Sequence, residues 1–129
     1  MTINDIVERY PTDIKEHAER VEELVRPFGS DYMIVALLHD ILEDTDIVYN
    51  DLLKVFSSYN SDIVDDIFTL TRKSNQTYFE YIDKITKSTK RAKIVKYYDI
   101  LDHLHNKATL KPSLEKRYLK AKELLEEVI

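Results

Sequence analysis

Residues 33–38, Met-Ile-Val-Ala-Leu-Leu, would present no polar side chain on any face of a helix. A helix that is apolar all round has to be enclosed by other elements. Asp31 can cap this helix, which is expected to run to about residue 43 by its spacing. It would then end in His39-Asp40 and Glu43-Asp44. Charge is costly directly after a buried run, so these four residues need a partner or a purpose.

The rest of the chain supplies the enclosing helices. It has one glycine and three prolines, and no pair of alternating segments is joined by a hairpin signal. The fold class is therefore all-α. Asp13 followed by Glu16 reads as a capping box, opening a helix over 13–26 that Pro27 and Gly29 stop. Further helices are expected near 49–57, 62–71, 77–87, 90–106 and 112–128, giving a compact bundle of about six to seven. Ser/Asn-rich turns at 57–61 and 73–76 and the Lys107 to Lys111 stretch before Pro112 separate them. With 129 residues, no linker and no repeat, the whole of 1–129 is expected to be a single domain.

Composition removes several functions. The absence of cysteine excludes disulfides, thiolate catalysis and Cys-ligated metal, so any metal must be held by His and carboxylates. A net charge of −5 argues against general DNA or RNA binding, which needs a basic surface to displace counterions. The polar N-terminus "MTINDIVERYPTDIKEH" offers neither signal peptide nor membrane span, and a cytoplasmic protein is expected.

Polar groups on apolar faces locate a candidate site. His17 shares a stripe with Ile14, Val21 and Leu24, so its imidazole should face inward, as a hydrogen-bonded core residue or as a ligand. Glu43 and Asp44 follow His39 and Asp40 by four residues, placing them one turn on if the helix continues. The alternative is a helix end fraying into an acidic loop, although acid there opposes the helix dipole. Asp99 falls within the stripe of Val95 and Tyr98, and buried carboxylates are rarely unpaired. His17, His39, Asp40 and Asp99 around one divalent cation would neutralise charges that the core alone could not tolerate. Two imidazoles and two carboxylates suit manganese, iron(II), zinc or nickel better than calcium.

The order His17, His39-Asp40, Asp99 resembles the HD phosphohydrolase superfamily, defined by a His, an adjacent His-Asp pair and a distant Asp. The longer segments "ALLHDILEDTD", "LLKVFSSYNSDIVDDIFTLTRK" and "IVKYYDILDHL" resemble the hydrolase domain of RelA/SpoT-type enzymes and their small stand-alone relatives, from about His17 to about residue 128. The resemblance implies a helical bundle of the HD-domain type and a small nucleotide as substrate. It also implies manganese-dependent removal of the 3′-pyrophosphate from the alarmones ppGpp and pppGpp. Carried over, His17, His39, Asp40 and Asp99 match the metal ligands, and Glu43 and Asp44 the acidic pair that orients or deprotonates water. Glu43 is the better candidate for proton transfer, and spacing does not separate it from Asp44.

Lys96, Arg72 and Lys73 can bind substrate phosphates, with ordinary solvated charge as the alternative for Arg72 and Lys73. Tyr78, Tyr81, Tyr97 and Tyr98 are either stacking groups for a base or core, and core is favoured for Tyr98. The chain departs from the family at three places. Only sixteen residues precede His17, the usual His-Pro is His17-Ala18, and His103 stands where an Asn is expected four residues after Asp99. His103 at that spacing can reach the site as an additional ligand or hydrogen-bonding group. Two further readings are an HD hydrolase of another nucleotide or small phosphate ester, and a non-catalytic metal- and nucleotide-binding helical module.

Overall fold

The computed structural model describes residues 1–56, 61–106 and 110–129. The described residues form α1 (Ile3–Val7), α2 (Thr12–Val25), α3 (Ser30–Leu38), α4 (Ile41–Asp44), α5 (Tyr49–Val55), α6 (Ser61–Thr69), α7 (Tyr78–Thr86), α8 (Lys90–His105) and α9 (Pro112–Glu126), with a 3-10 turn at Arg26–Phe28. There is no strand among them, so the fold is the all-α one expected. None of these helices is long and apolar enough to cross a membrane. Ser57 to Asn60 of the expected turn at 57–61, and Lys107 to Thr109 of the next, lie outside the described residues.

Local chemistry explains the boundaries. Thr77 and Glu80 form a reciprocal capping box at the start of α7, and the Thr89 hydroxyl accepts from the Ala92 N–H at the start of α8. Pro112 occupies the first turn of α9, where a missing N–H costs nothing. Gly29 takes φ 121°, a conformation other residues strongly disfavour, and there the chain turns out of α2 into α3.

Three local expectations are corrected. Asp13 is not the cap of α2: the helix begins at Thr12, and the Pro11 carbonyl accepts its early N–H from Lys15. Asp31 likewise falls in the first turn of α3, because Gly29 makes the turn one step earlier. The helix expected to run to about 43 breaks at His39-Asp40. Asp40 has φ −103° and ψ 3°, outside the helical region, and its carbonyl starts α4 by accepting from the Asp44 N–H. A ninth α-helix, the short α1, precedes α2 and is held by a Thr2–Asp5 capping box.

Val35, Ala36 and Leu38 of α3 are fully buried, while Met33, Ile34 and Leu37 are partly buried against the same core. The all-round apolar helix is thus enclosed, packing on α2, α6 and α8. Its C-terminal end, the middle of α2 and the middle of α8 meet there, and each brings a polar side chain into otherwise apolar surroundings.

Candidate metal centre

α2 contributes His17, the break between α3 and α4 contributes His39 and Asp40, and α8 contributes Asp99. One ligand atom from each lies within 4.8 Å of the others. His17 Nε2 is 2.7 Å from Asp99 Oδ1, His39 Nε2 is 3.1 Å from the same oxygen, and His39 Nε2 is 3.0 Å from Asp40 Oδ2. His39 and Asp99 are almost completely inaccessible, His17 is buried and Asp40 is partly so.

The outward ring nitrogens are also satisfied. His39 Nδ1–H donates to the Ala36 carbonyl, and His17 Nδ1–H donates to Asp102 Oδ2 at 2.6 Å. Both Nδ1 atoms face acceptors, so both carry protons and both Nε2 atoms turn toward the carboxylates. This is the orientation in which imidazoles ligate a cation through Nε2. The donor set fits a divalent cation, whose two positive charges would balance two carboxylates in a site closed to most water.

Electrostatics in the protein alone show how closely these groups depend on one another. Burial would lower the His39 imidazole, but the charges of Asp40 and Asp99 outweigh it and hold its pKa well above the ordinary 6.5. His17 is raised for the same reason, burial being overcome by its hydrogen bond and charge interaction with Asp99. Burial would raise Asp99, yet the Lys96 and His39 charges hold it well below the usual carboxylate range. Lys96 Nζ donates to Asp99 Oδ2 at 2.7 Å and stands 5.1 Å from the Tyr81 ring centre.

Glu43 and Asp44, adjacent on α4 and so about 100° apart around its axis, face different partners. Asp44 lines the cleft above the cluster with Asp40. Glu43 Oε1 accepts from the Arg72 backbone N–H at 3.0 Å, toward the loop between α6 and α7. Loss of surrounding water, then the Asp40 charge, raises both carboxyls. The cleft has a volume of about 420 Å³, and its walls include Asp13, Asp40, Asp44 and Asp102. Among the described residues, Arg20 is the only Lys or Arg that lines it.

The other residues singled out from sequence divide. His103 reaches the cluster, its Nε2 3.3 Å from Asp99 Oδ1, and its ring is sandwiched between His17 at 4.4 Å and Tyr118 at 4.9 Å. Arg72 lies 5.9 Å from the Tyr78 ring centre, and its Nε donates to the Gln76 carbonyl. Lys73 is not brought to the cleft: its ammonium donates to the Phe68 and Thr71 carbonyls and lines another concavity with Lys84 and Lys87. Tyr78 and Tyr81 are core, the Tyr81 hydroxyl donating to the Leu70 carbonyl. Tyr97 and Tyr98 pack half-buried against that core. The sequence reading does not single out Asp102 and Arg20. Their only signal is that each lies three residues, one helical turn, beyond a candidate ligand.

No family model matches the chain, and no curated protein matches it. Among solved structures it is similar to a metazoan ortholog of SpoT, described as hydrolysing ppGpp and playing a role in starvation responses. The two share 20% identity and a TM-score of 0.73, over 97% of this chain and 83% of that one. The likeness is one of fold: the chain shares its all-helical architecture with that SpoT ortholog.

Proposed function

We propose that the chain is a single-domain, metal-dependent phosphohydrolase that removes the 3′-pyrophosphate of (p)ppGpp. The observation that carries this reading is the convergence of four ligand atoms within 4.8 Å, with both outward imidazole N–H groups already bonded. The shared fold supports it, and one core common to the described helices supports a single domain.

His17, His39, Asp40 and Asp99 would hold the cation, with Mn²⁺ preferred among metals that accept mixed imidazole and carboxylate ligands. What a divalent cation supplies there is Lewis acidity, which acidifies a water and polarises a phosphoryl oxygen. Asp44, which lines the cleft, or Glu43, its neighbour on α4, would accept the water's proton. The water oxygen adds to the phosphorus attached to the ribose 3′-oxygen, that P–O bond breaks, and the proton taken from the water returns to the departing 3′-oxygen. The products are pyrophosphate and a 3′-hydroxyl. Lys96 stabilises the Asp99 charge, while His103, which lines the cleft, and Arg72, whose backbone holds Glu43, are the candidates for substrate contact.

A second reading keeps the chemistry and changes the nucleotide. Its support is the cleft itself, with four aspartates against Arg20 and Lys73 turned elsewhere. A tetra-anion meets fewer cations there than its charge calls for. Metal-stripped protein resupplied with Mn²⁺ tests both, by following phosphate and pyrophosphate release from ppGpp, GTP and NADPH. Pyrophosphate release confined to ppGpp and lost in His39→Ala is expected. Turnover of only another nucleotide would select the second reading, and inertness with intact metal binding would leave a binding module.

A further inference from the structure

His17 and His39 are supported in different ways. The Nδ1–H of His39 is held by the Ala36 carbonyl of α3, three residues away, so local backbone supplies its outward partner. The Nδ1–H of His17 is held by a carboxylate from α8, Asp102, 85 residues away in sequence. Asp102 is itself held by Arg20 of α2. Arg20 Nε lies 3.0 Å and 3.2 Å from the two carboxylate oxygens, and its Nη2 lies 3.0 Å from Oδ2. The guanidinium thus spans both oxygens and fixes the carboxylate plane, which a single point charge would not do.

The arrangement is built by helical repeat. Arg20 stands one turn beyond His17 on α2, and Asp102 one turn beyond Asp99 on α8. The same two helix faces that deliver two candidate ligands therefore deliver their support. Asp102 is 5% accessible although it lines the cleft. A carboxylate at that border, if released by Arg20, can swing toward solvent and leave the His17 Nδ1–H without its acceptor.

We propose that Asp102, clamped by Arg20, is a positioning pair that sets the cation affinity of the site through His17. The inference rests on the metal-centre reading above. Asp102 keeps the proton on Nδ1, aims the Nε2 lone pair at the cluster and adds negative charge behind the ring, which makes the imidazole a stronger donor. Arg20 acts only through Asp102, by holding the carboxylate in the plane that His17 requires.

The test is Mn²⁺ titration calorimetry on the full chain, with the melting temperature of each metal-free variant measured alongside. Asp102→Asn should weaken Mn²⁺ binding about 10- to 100-fold, because the amide loses the charge and can donate its own N–H to Nδ1, imposing the wrong tautomer. Arg20→Ala should weaken binding in the same direction by less, and Arg20→Lys should restore part of it. The double variant should bind no more weakly than Asp102→Asn alone, since two residues in one chain of contacts are not additive.

Parental affinity in a folded Asp102→Asn, or full additivity of the two substitutions, overturns the proposal. If Asp102→Asn does not fold, Arg20→Ala decides, its side chain being half exposed. Parental affinity in that variant is equally fatal. A folded parent that binds no Mn²⁺ overturns the metal reading and this inference together. Loss of binding in His39→Ala beside parental affinity in Asp102→Asn overturns this inference alone.

Discussion

At the residue scale, Asp99 is the pivot of the cluster. Its Oδ1 faces His17, His39 and His103, while its Oδ2 takes the Lys96 ammonium. An inaccessible carboxylate is tolerable there because both of its oxygens meet N–H or cationic partners. Its burial is legible in the sequence from its place in the Val95 and Tyr98 stripe. The roles of the acidic pair are less so, since Glu43 meets the Arg72 backbone and Asp44 the cleft, partners that only the tertiary structure brings to them. Glu43→Gln and Asp44→Asn should both retain Mn²⁺ stoichiometry. The one that accepts the proton should lose about 10²- to 10⁴-fold in turnover. Parallel kcat and metal-binding measurements on the two variants identify it, and parental rates in both would remove the pair from the mechanism.

At the element scale, the site depends on how α6, α8 and α3 are joined. Asp66 of α6 is 2% accessible and accepts from the Thr89 hydroxyl at 2.7 Å and from Arg91 Nε at 2.6 Å. Arg91 also reaches Asp31 of α3 at 3.6 Å. One buried carboxylate thus pins the start of α8, the helix that carries Asp99. Asp66→Ala should destabilise the fold by about 3 kcal/mol, the cost of leaving one partner of a buried pair behind. Denaturant unfolding of the metal-free protein checks this, and a change within error would make the pin dispensable. Most helices were legible from apolar periodicity and from the proline, glycine and Ser/Asn-rich breaks between them, whereas the caps expected at Asp13 and Asp31 were not found there. The α3–α4 break was not, because the residues around His39 and Asp40 carry no breaker, and Asp40 alone leaves the helical region.

At the scale of the whole molecule, the cluster couples folding, protons and metal. The folded-state imidazoles of His17 and His39 are raised above their ordinary 6.5. Their contribution to stability is complete below that value and is lost as pH rises through the folded values. Asp99 is depressed, so its contribution is present above its ordinary 3.8 and is lost as pH falls through the folded value. The metal-free protein should therefore melt progressively lower as pH rises above about 6.5. Mn²⁺ should stabilise it more at pH 8 than at pH 6, because binding must displace the imidazole protons. Thermal unfolding across that range, with and without Mn²⁺, measures both. An increment that shrinks as pH rises would contradict the assigned ligands. By itself the sequence determined the all-α class, most helices and the four candidate ligands, because apolar periodicity and buried polar residues are local patterns. Only the tertiary structure decided the α3–α4 break, the divergence of Glu43 from Asp44, the withdrawal of Lys73 and the Asp102–Arg20 support behind His17. The Glu43 contact and the Asp102 support depend on groups that meet across 29 and 85 residues of chain, and spacing along one helix carries no information about its neighbour.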